Sequence, residues 1–546
     1  MPARRSPPTI VSRSLFFSPG PFNSESETQM QVSWVVGTNL NAARLANSRH
    51  CAAGVKNSFS KSLTTLAPAS AAQWRSMRMR PAILLLSCIG WSSGAAQLPD
   101  RLQRVLSAHD IPSANVSVVV QMSGTEQPVL THFPLQPRHP ASVIKLVTSW
   151  VGLEVLGPTY TWPTEVYFLG ERNGWSLDGD LAIKGYGDPS LVTDEFRKLL
   201  RAVRHLGLTE IDGDLVIDDS VFVDAEGDPG EFDGDPFRTY NVLPNALLVN
   251  YKAIRYQFGI YPDGDGVLVT SDPVLANLDI VNRLNLVSGR CRGYQAGITH
   301  DVRGEGADRV FLSGDFPAGC APYSLTRTAL QHDSYAYGLF ATLWRELGGV
   351  HTGGWRRGAV SDEIEPILVW DSLPLGDVIR RINKFSNNVM TRQLLYTLGL
   401  EASDSPGTRA GGVDVIRNHL ASRGLNVDSL VIDNGAGLSR ETRISAQLLA
   451  DMLQLAQQPP YGAEFMASMS IGGLDGTTRR RFEDDEALGR SHLKTGSIDH
   501  VAAIAGYVHA SSGTTYIVAA MINATDAHRG TGEEFLDALI EWVHEF

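Results

Sequence analysis

Pro140-Ala141-Ser142-Val143-Ile144-Lys145-Leu146-Val147-Thr148-Ser149-Trp150-Val151 decides how this chain is read. After the proline, apolar residues 143, 144, 147, 150 and 151 recur at helical spacing, so Ser142 is predicted at or near a helix N-terminus. A serine and a lysine three positions apart share one helical face, which puts the Lys145 ammonium within reach of the Ser142 hydroxyl. A serine hydroxyl is a poor nucleophile until a base takes its proton. Lysine becomes such a base when burial and neighbouring cations lower its pKa from about 10.4. The plain alternative is a Ser142 N-cap with Lys145 on a solvated face. The pattern alone is weak, since Ser58-Phe59-Ser60-Lys61 also fits it.

Two further short motifs follow in order, Ser386-Asn387-Asn388 and Lys494-Thr495-Gly496. Together with Ser142 and Lys145 they form the SxxK, SxN and KTG set of serine acylases that react with β-lactams. Ser386 lies between two predicted helices, 373–383 and 388–400. It can relay a proton between Ser142, Lys145 and a leaving amine. Asn388 can hold a substrate amide through its donor and acceptor pair; a simple Ser-Asn-Asn turn is the alternative. Lys494 and Thr495 suit a terminal carboxylate, one by charge and one by hydroxyl. Gly496 allows close approach to a strand backbone. The backbone N–H groups of Ser142 and Ser497 can form an oxyanion hole, worth about 3 kcal/mol per donor. Lys494 as an edge-strand charge is the bland reading. Ser113-Ala114-Asn115 also matches SxN, so order and context carry the argument.

The context is a predicted three-strand meander, 492–498, 501–508 and 515–522, closed by a helix over 533–546. With a strand over 116–122, this predicts an α/β (α+β) domain: an antiparallel sheet with flanking helices. The interval 164–362 differs. Asp-Gly pairs at 178–179, 212–213, 233–234 and 263–264 separate short β-branched runs, which predicts strand-rich folding. Leu177 to Ile183 echoes Ile211 to Ile217, as two similar hairpins or by coincidence. A helical pattern returns over 334–348.

The bulk numbers restrict the function. The chain has 546 residues, 43% of them hydrophobic and 19% charged, with a formal net charge of −12. The acidic balance argues against nucleic acid as a partner. No CxxC pair, HExxH helix or GxxxxGK[ST] loop is present, so neither a metal nor an organic cofactor is expected.

Residues 77–96 carry Arg78 and Arg80, a short apolar run and then small residues, the layout of a secretory signal. The run is too short for a membrane span, and no span is expected in the mature chain. Residues 1–76 are then a mis-called start or a disordered leader, with synthesis beginning at Met77 or Met79. Cys88 loosely fits a lipid-anchor site, but cleavage near Ala96 fits better. Export to the periplasm or another extracytoplasmic space leaves Cys291 and Cys320. These form one disulfide or remain two buried thiols.

At these residues the chain resembles the D-alanyl-D-alanine carboxypeptidase/endopeptidase family, the low-molecular-mass penicillin-binding proteins with a large insertion. Lys184-Gly-Tyr-Gly-Asp-Pro-Ser-Leu191, Tyr240-Asn-Val-Leu-Pro-Asn-Ala-Leu247, Asn250-Tyr251, Asp433-Asn-Gly-Ala-Gly-Leu-Ser-Arg440 and Gly473-Leu-Asp-Gly-Thr477 extend the likeness across 97–546. Asn387 and Asn434 depart mildly from it. The resemblance implies a penicillin-recognising domain, 97–163 with 363–546, split by strand-rich inserted domains over 164–362. It implies Ser142 as acyl-enzyme nucleophile, Lys145 as base, and Ser386, Asn388 and Lys494 completing the site. The expected substrates are peptidoglycan stem peptides, and β-lactams are expected as covalent inhibitors. Transpeptidation, a β-lactamase or esterase activity, and a non-catalytic peptidoglycan scaffold are the rival readings.

Overall fold

A computed structural model describes residues 97–546, apart from 224, 226, 292–296, 404, 483 and 484. The expected signal segment, the leader, Cys88 and the Ser58-to-Lys61 motif lie outside these residues.

The runs VSVVV, AAIAGYV and YIVAAMI lack polar alternation because the sheet they form is covered on both faces. Its six antiparallel strands are ordered Ser470–Ile471, Ser491–Ile498, Val501–His509, Thr515–Asn523, Val116–Met122 and Pro128–His132. Period-two geometry sorts the side chains. Val118, Val120, Ile504, Val518 and Ala520 pack on the helices Asp100–Ala108 and Thr531–His544. Val119, Ala503, Ala505, Ile517 and Ala519 face the opposite way, towards the helices Lys145–Leu156, Leu375–Phe385, Asn388–Glu401 and Ala446–Ala456. Lys145–Leu156 is buried along most of its length at the centre of this helical layer, with Trp150 among its fully buried side chains.

The interval builds three more sheets around a second core. The echoed segments are parallel neighbours: Leu177 pairs with Ile211, Leu181 with Leu215 and Ile183 with Ile217. The helix Thr193–His205 connects them. The echo therefore marks a strand–helix–strand unit and not two hairpins. Asp178-Gly179 is not a turn either. It lies inside the strand Ser176–Gly185, where Gly179 opposes Gly170 and any Cβ at position 170 would strike the facing backbone. Leu368–Asp371 pairs with Pro163–Asn173, so this sheet reaches beyond residue 362. Cys291 and Cys320 are disulfide-bonded, with their Cα atoms 4.6 Å apart. They follow two neighbouring parallel strands, Asp279–Arg290 and Arg309–Gly319. Among the described residues, no helix is long and apolar enough to cross a membrane.

Candidate active site

Ser142 lies on a single 3-10 turn, Ala141–Ile144, that runs directly into the helix Lys145–Leu156. One turn of helix brings the Lys145 Nζ to the Ser142 Oγ, to which it donates at 2.9 Å. The same ammonium donates to Asn388 Oδ1 at 2.6 Å and to the Ala436 carbonyl. Lys145 is fully buried. Burial, together with the positive charges of Lys494 and Arg392, holds its pKa well below the usual lysine range.

Ser386 ends the helix Leu375–Phe385 in the left-handed region, at φ 55°, which turns its hydroxyl back into the cleft. Lys494, also fully buried, donates to Ser386 Oγ at 2.9 Å and to its neighbour Thr495's carbonyl at 2.7 Å. Burial pushes the Lys494 pKa down to about 7. The five residues thus form two bonded groups, Ser142–Lys145–Asn388 and Ser386–Lys494. The charge of Lys494 acting on Lys145 couples them.

Asn388 opens the helix Asn388–Glu401. Its carbonyl oxygen is engaged by Lys145, and its amide nitrogen lies 3.5 Å from the Tyr240 carbonyl, so here it is first a partner of the lysine. Asn387 caps this helix by accepting from the Met390 N–H at 3.0 Å. Aspartate would cap equally well, so an asparagine at this position leaves the start of the helix intact.

Thr495 donates to Thr477 Oγ1 at 2.8 Å. Gly496 makes a close approach that its sequence context did not specify. A Cβ there would lie 2.5 Å from the Pro140 carbonyl and 3.0 Å from the Ser142 nitrogen, so the glycine admits the nucleophile's own turn. That contact sets the strand backbone beside the Ser142 amide. Ser497 is exposed one residue further on.

Several contributors carried no role in the sequence reading. Ala436 presents its carbonyl to Lys145 because Gly435 and Gly437 flank it at φ 67° and 80°. The glycine spacing inside Asp433–Arg440 was the available signal. Thr477 is seated by Ser470, whose Oγ accepts the Thr477 N–H at 3.2 Å; nearby, Asp475 accepts from Lys384 at 2.5 Å and from the Ile471 N–H at 2.7 Å. Arg392, one turn from Asn388, donates to the carbonyls of Asn241 and Val242. Gln393 and Asn245 exchange two hydrogen bonds, at 3.0 and 2.8 Å.

Two cavities open beside these supporting residues. A cavity of about 510 Å³ is lined by Phe232, Asn241, Arg392, Asn434 and Arg440, among others. Another of about 780 Å³ is lined by Lys384, Phe385, Leu474, Asp475 and Arg479, with Phe385 70% exposed.

A family model described as D-Ala-D-Ala carboxypeptidase 3 (S13) matches residues 98–545. The chain belongs to this family. Membership makes it a serine-type hydrolase of the D-alanyl-D-alanine carboxypeptidase class. A D-alanyl-D-alanine carboxypeptidase of Actinomadura sp. (strain R39) is 26% identical over 437 residues, covering 77% of this chain and 80% of the relative. The D-alanyl-D-alanine carboxypeptidase DacB of Haemophilus influenzae is 21% identical over 70% of this chain and 80% of its own length. The crystal structure of penicillin binding protein 4 (dacB) from Haemophilus influenzae covers 82% of this chain and 99% of its own, with a TM-score of 0.71 at 20% identity. It shows the penicillin-recognising fold.

Proposed function

We propose that this chain removes or cuts at D-alanine in peptidoglycan stem peptides through an acyl-enzyme on Ser142. The observation that carries the reading is the pair of buried lysines, each donating to one serine hydroxyl at 2.9 Å. Neutral Lys145 takes the Ser142 proton as the oxygen attacks the carbonyl of the penultimate D-alanine. The backbone N–H groups of Ser142 and Ser497 stabilise the oxyanion that forms. Ser386 relays the proton held by Lys145 to the departing amine, so Lys145 is neutral again as the C–N bond breaks. Lys494, in its charged form, and Thr495 hold the terminal carboxylate. A water molecule then adds to the acyl ester with Lys145 again accepting a proton, which it returns to Ser142 Oγ as that bond breaks.

The same cleft would be acylated by β-lactams, whose ring amide stands in for the D-alanyl amide. A relative supports this: the same Haemophilus influenzae protein has been solved complexed with a β-lactam, and that structure matches with a TM-score of 0.67. The reading divides the chain into an acylase domain, 97–163 with 363–546, and inserted domains over 164–362. It places the protein outside the cytoplasm, exported by residues 77–96. The bond between Cys291 and Cys320 supports an oxidising destination.

The test is covalent labelling with a fluorescent penicillin, followed by digestion of purified muropeptides read by mass spectrometry. The wild type labels and releases D-alanine or splits a cross-link; Ser142→Ala does neither. Labelling of Ser142→Ala, or intact muropeptides with a labelled wild type, would remove the assignment.

A further inference from the structure

His139 stands three residues before Ser142, and the serine-lysine pattern does not include it. Its imidazole is buried and bonded at both nitrogens. Nδ1 accepts the Ala141 N–H at 2.9 Å, and Nε2 lies 2.5 Å from the Ser439 carbonyl. These two bonds fix the neutral ring with its proton on Nε2, since a ring nitrogen that accepts an N–H carries no hydrogen. The main chain of His139 is itself held by Asn523 at the end of the central strand Thr515–Asn523. His139 N–H donates to Asn523 Oδ1 at 2.8 Å, and Asn523 Nδ2 donates to the His139 carbonyl at 3.1 Å.

The ring therefore joins two backbone segments. One is the turn that carries Ser142, where Ala141 adopts φ 45°. The other is the block Asp433–Arg440, whose Ala436 carbonyl accepts from Lys145. The segments already meet at Gly437, where any Cβ would collide with the Ala141 carbonyl. Nucleophile and base acceptor are thus held at a fixed separation by backbone contact and one imidazole bridge.

We propose that His139 is a positioning residue for acylation, clamping the Ser142 turn to the loop that holds Lys145. The inference rests on Ser142 being the nucleophile. Protonation of the ring would set an Nδ1–H against the Ala141 N–H and break the clamp. The surroundings oppose protonation: burial lowers the His139 pKa, as do Arg443 and Arg440, against the Ser439 bond and Glu441.

The experiment measures acylation by a fluorescent penicillin, and kcat and KM on a D-alanyl-D-alanine peptide, for His139→Ala, His139→Asn and His139→Gln. Asn can accept the Ala141 N–H but cannot reach Ser439; Gln can reach Ser439 but cannot replace the acceptor near the backbone. His139→Ala is expected to acylate about 10–100-fold more slowly through kcat, with KM little changed, because small displacements of a reacting pair are costly. Asn is expected to recover more rate than Gln at equal thermal stability. Imidazole ¹⁵N signals at about pH 8 should show one neutral Nε2–H tautomer.

Wild-type acylation by His139→Ala would overturn the proposal. So would a loss that follows thermal stability with no recovery in Asn, or an Nδ1–H or charged ring. The nucleophile reading fails separately: peptide mapping of the wild type would then find the label elsewhere than Ser142.

Discussion

Lys145 and Lys494, both fully buried, each donate to one of the two serine hydroxyls of the cleft, Ser142 and Ser386, at the same 2.9 Å. The oxygens that accept from them are uncharged, so neither ammonium is compensated by a bonded carboxylate. Each gains nucleophilic or proton-accepting character from the burial that makes it costly.

This pair predicts a bell-shaped pH profile of kcat/KM. Lys145 must be neutral to act as base; its lowered pKa puts the rising limb on the acid side. Lys494 must be charged to hold a carboxylate; its pKa of about 7 in the free protein centres the falling limb near neutrality. Lys494→Arg should keep the acid limb and move the alkaline limb upward, read from initial rates between about pH 5 and 10.

Asn388→Asp isolates the acid limb. The substitution replaces the oxygen 2.6 Å from Lys145 Nζ with a carboxylate, which favours the charged ammonium. The limb should move to higher pH, and acylation near neutrality should fall by about 10²-fold. An unchanged limb would mean that Lys145 is not the titrating base.

Lys494→Met separates stability from function. A lysine with a depressed folded pKa binds fewer protons folded than unfolded between about 7 and its unfolded value near 10.4, so its effect on stability is adverse at pH 7 and fades as pH rises through that window. The variant should lose carboxypeptidase activity while gaining about 0.5–2 kcal/mol at neutral pH. Its stability should also rise less with pH than the wild type's, as measured by thermal unfolding across that range.

Gly496→Ala tests the contact between the strand and the nucleophile turn. The added methyl would meet the Pro140 carbonyl at 2.5 Å and the Ser142 nitrogen at 3.0 Å. Overpacking of this kind costs about 1–3 kcal/mol, and here it also displaces Ser142. Penicillin labelling should slow far more than the melting temperature falls.

Cys291→Ser with Cys320→Ser addresses a different sheet from the one that carries Lys494. A bridge across 29 residues contributes about 3–4 kcal/mol in the chain-entropy account. The double variant should melt earlier and still label at Ser142 below its transition.

What the sequence made legible follows from distance along the chain. Ser142 and Lys145 are one turn apart, so helical periodicity alone put them together. The meander 492–523 was legible because its strands are consecutive. The meeting of Lys145 with Asn388 and Ala436 depends on how helices and loops pack, which no local pattern encodes. The contact of Gly496 with the Ser142 turn was not legible for the same reason: glycine announces a close approach but not what approaches. His139 carried no signal, since a histidine in a loop shows nothing of the two carbonyl and amide groups that later flank it. The Leu177 and Ile211 echo was visible as text. Its meaning needed the pairing of strands across the helix Thr193–His205.

Arg392 draws one more consequence from the fold. Its guanidinium helps to keep Lys145 short of protons, yet it is seated on the carbonyls of Asn241 and Val242, which belong to the interval and not to the catalytic motifs. A shortened form with the interval replaced by a linker would release that guanidinium to water, where its field is screened. The trimmed enzyme would keep every motif residue and still run on a different proton balance; miniaturising this scaffold means retuning its base as well as closing its chain.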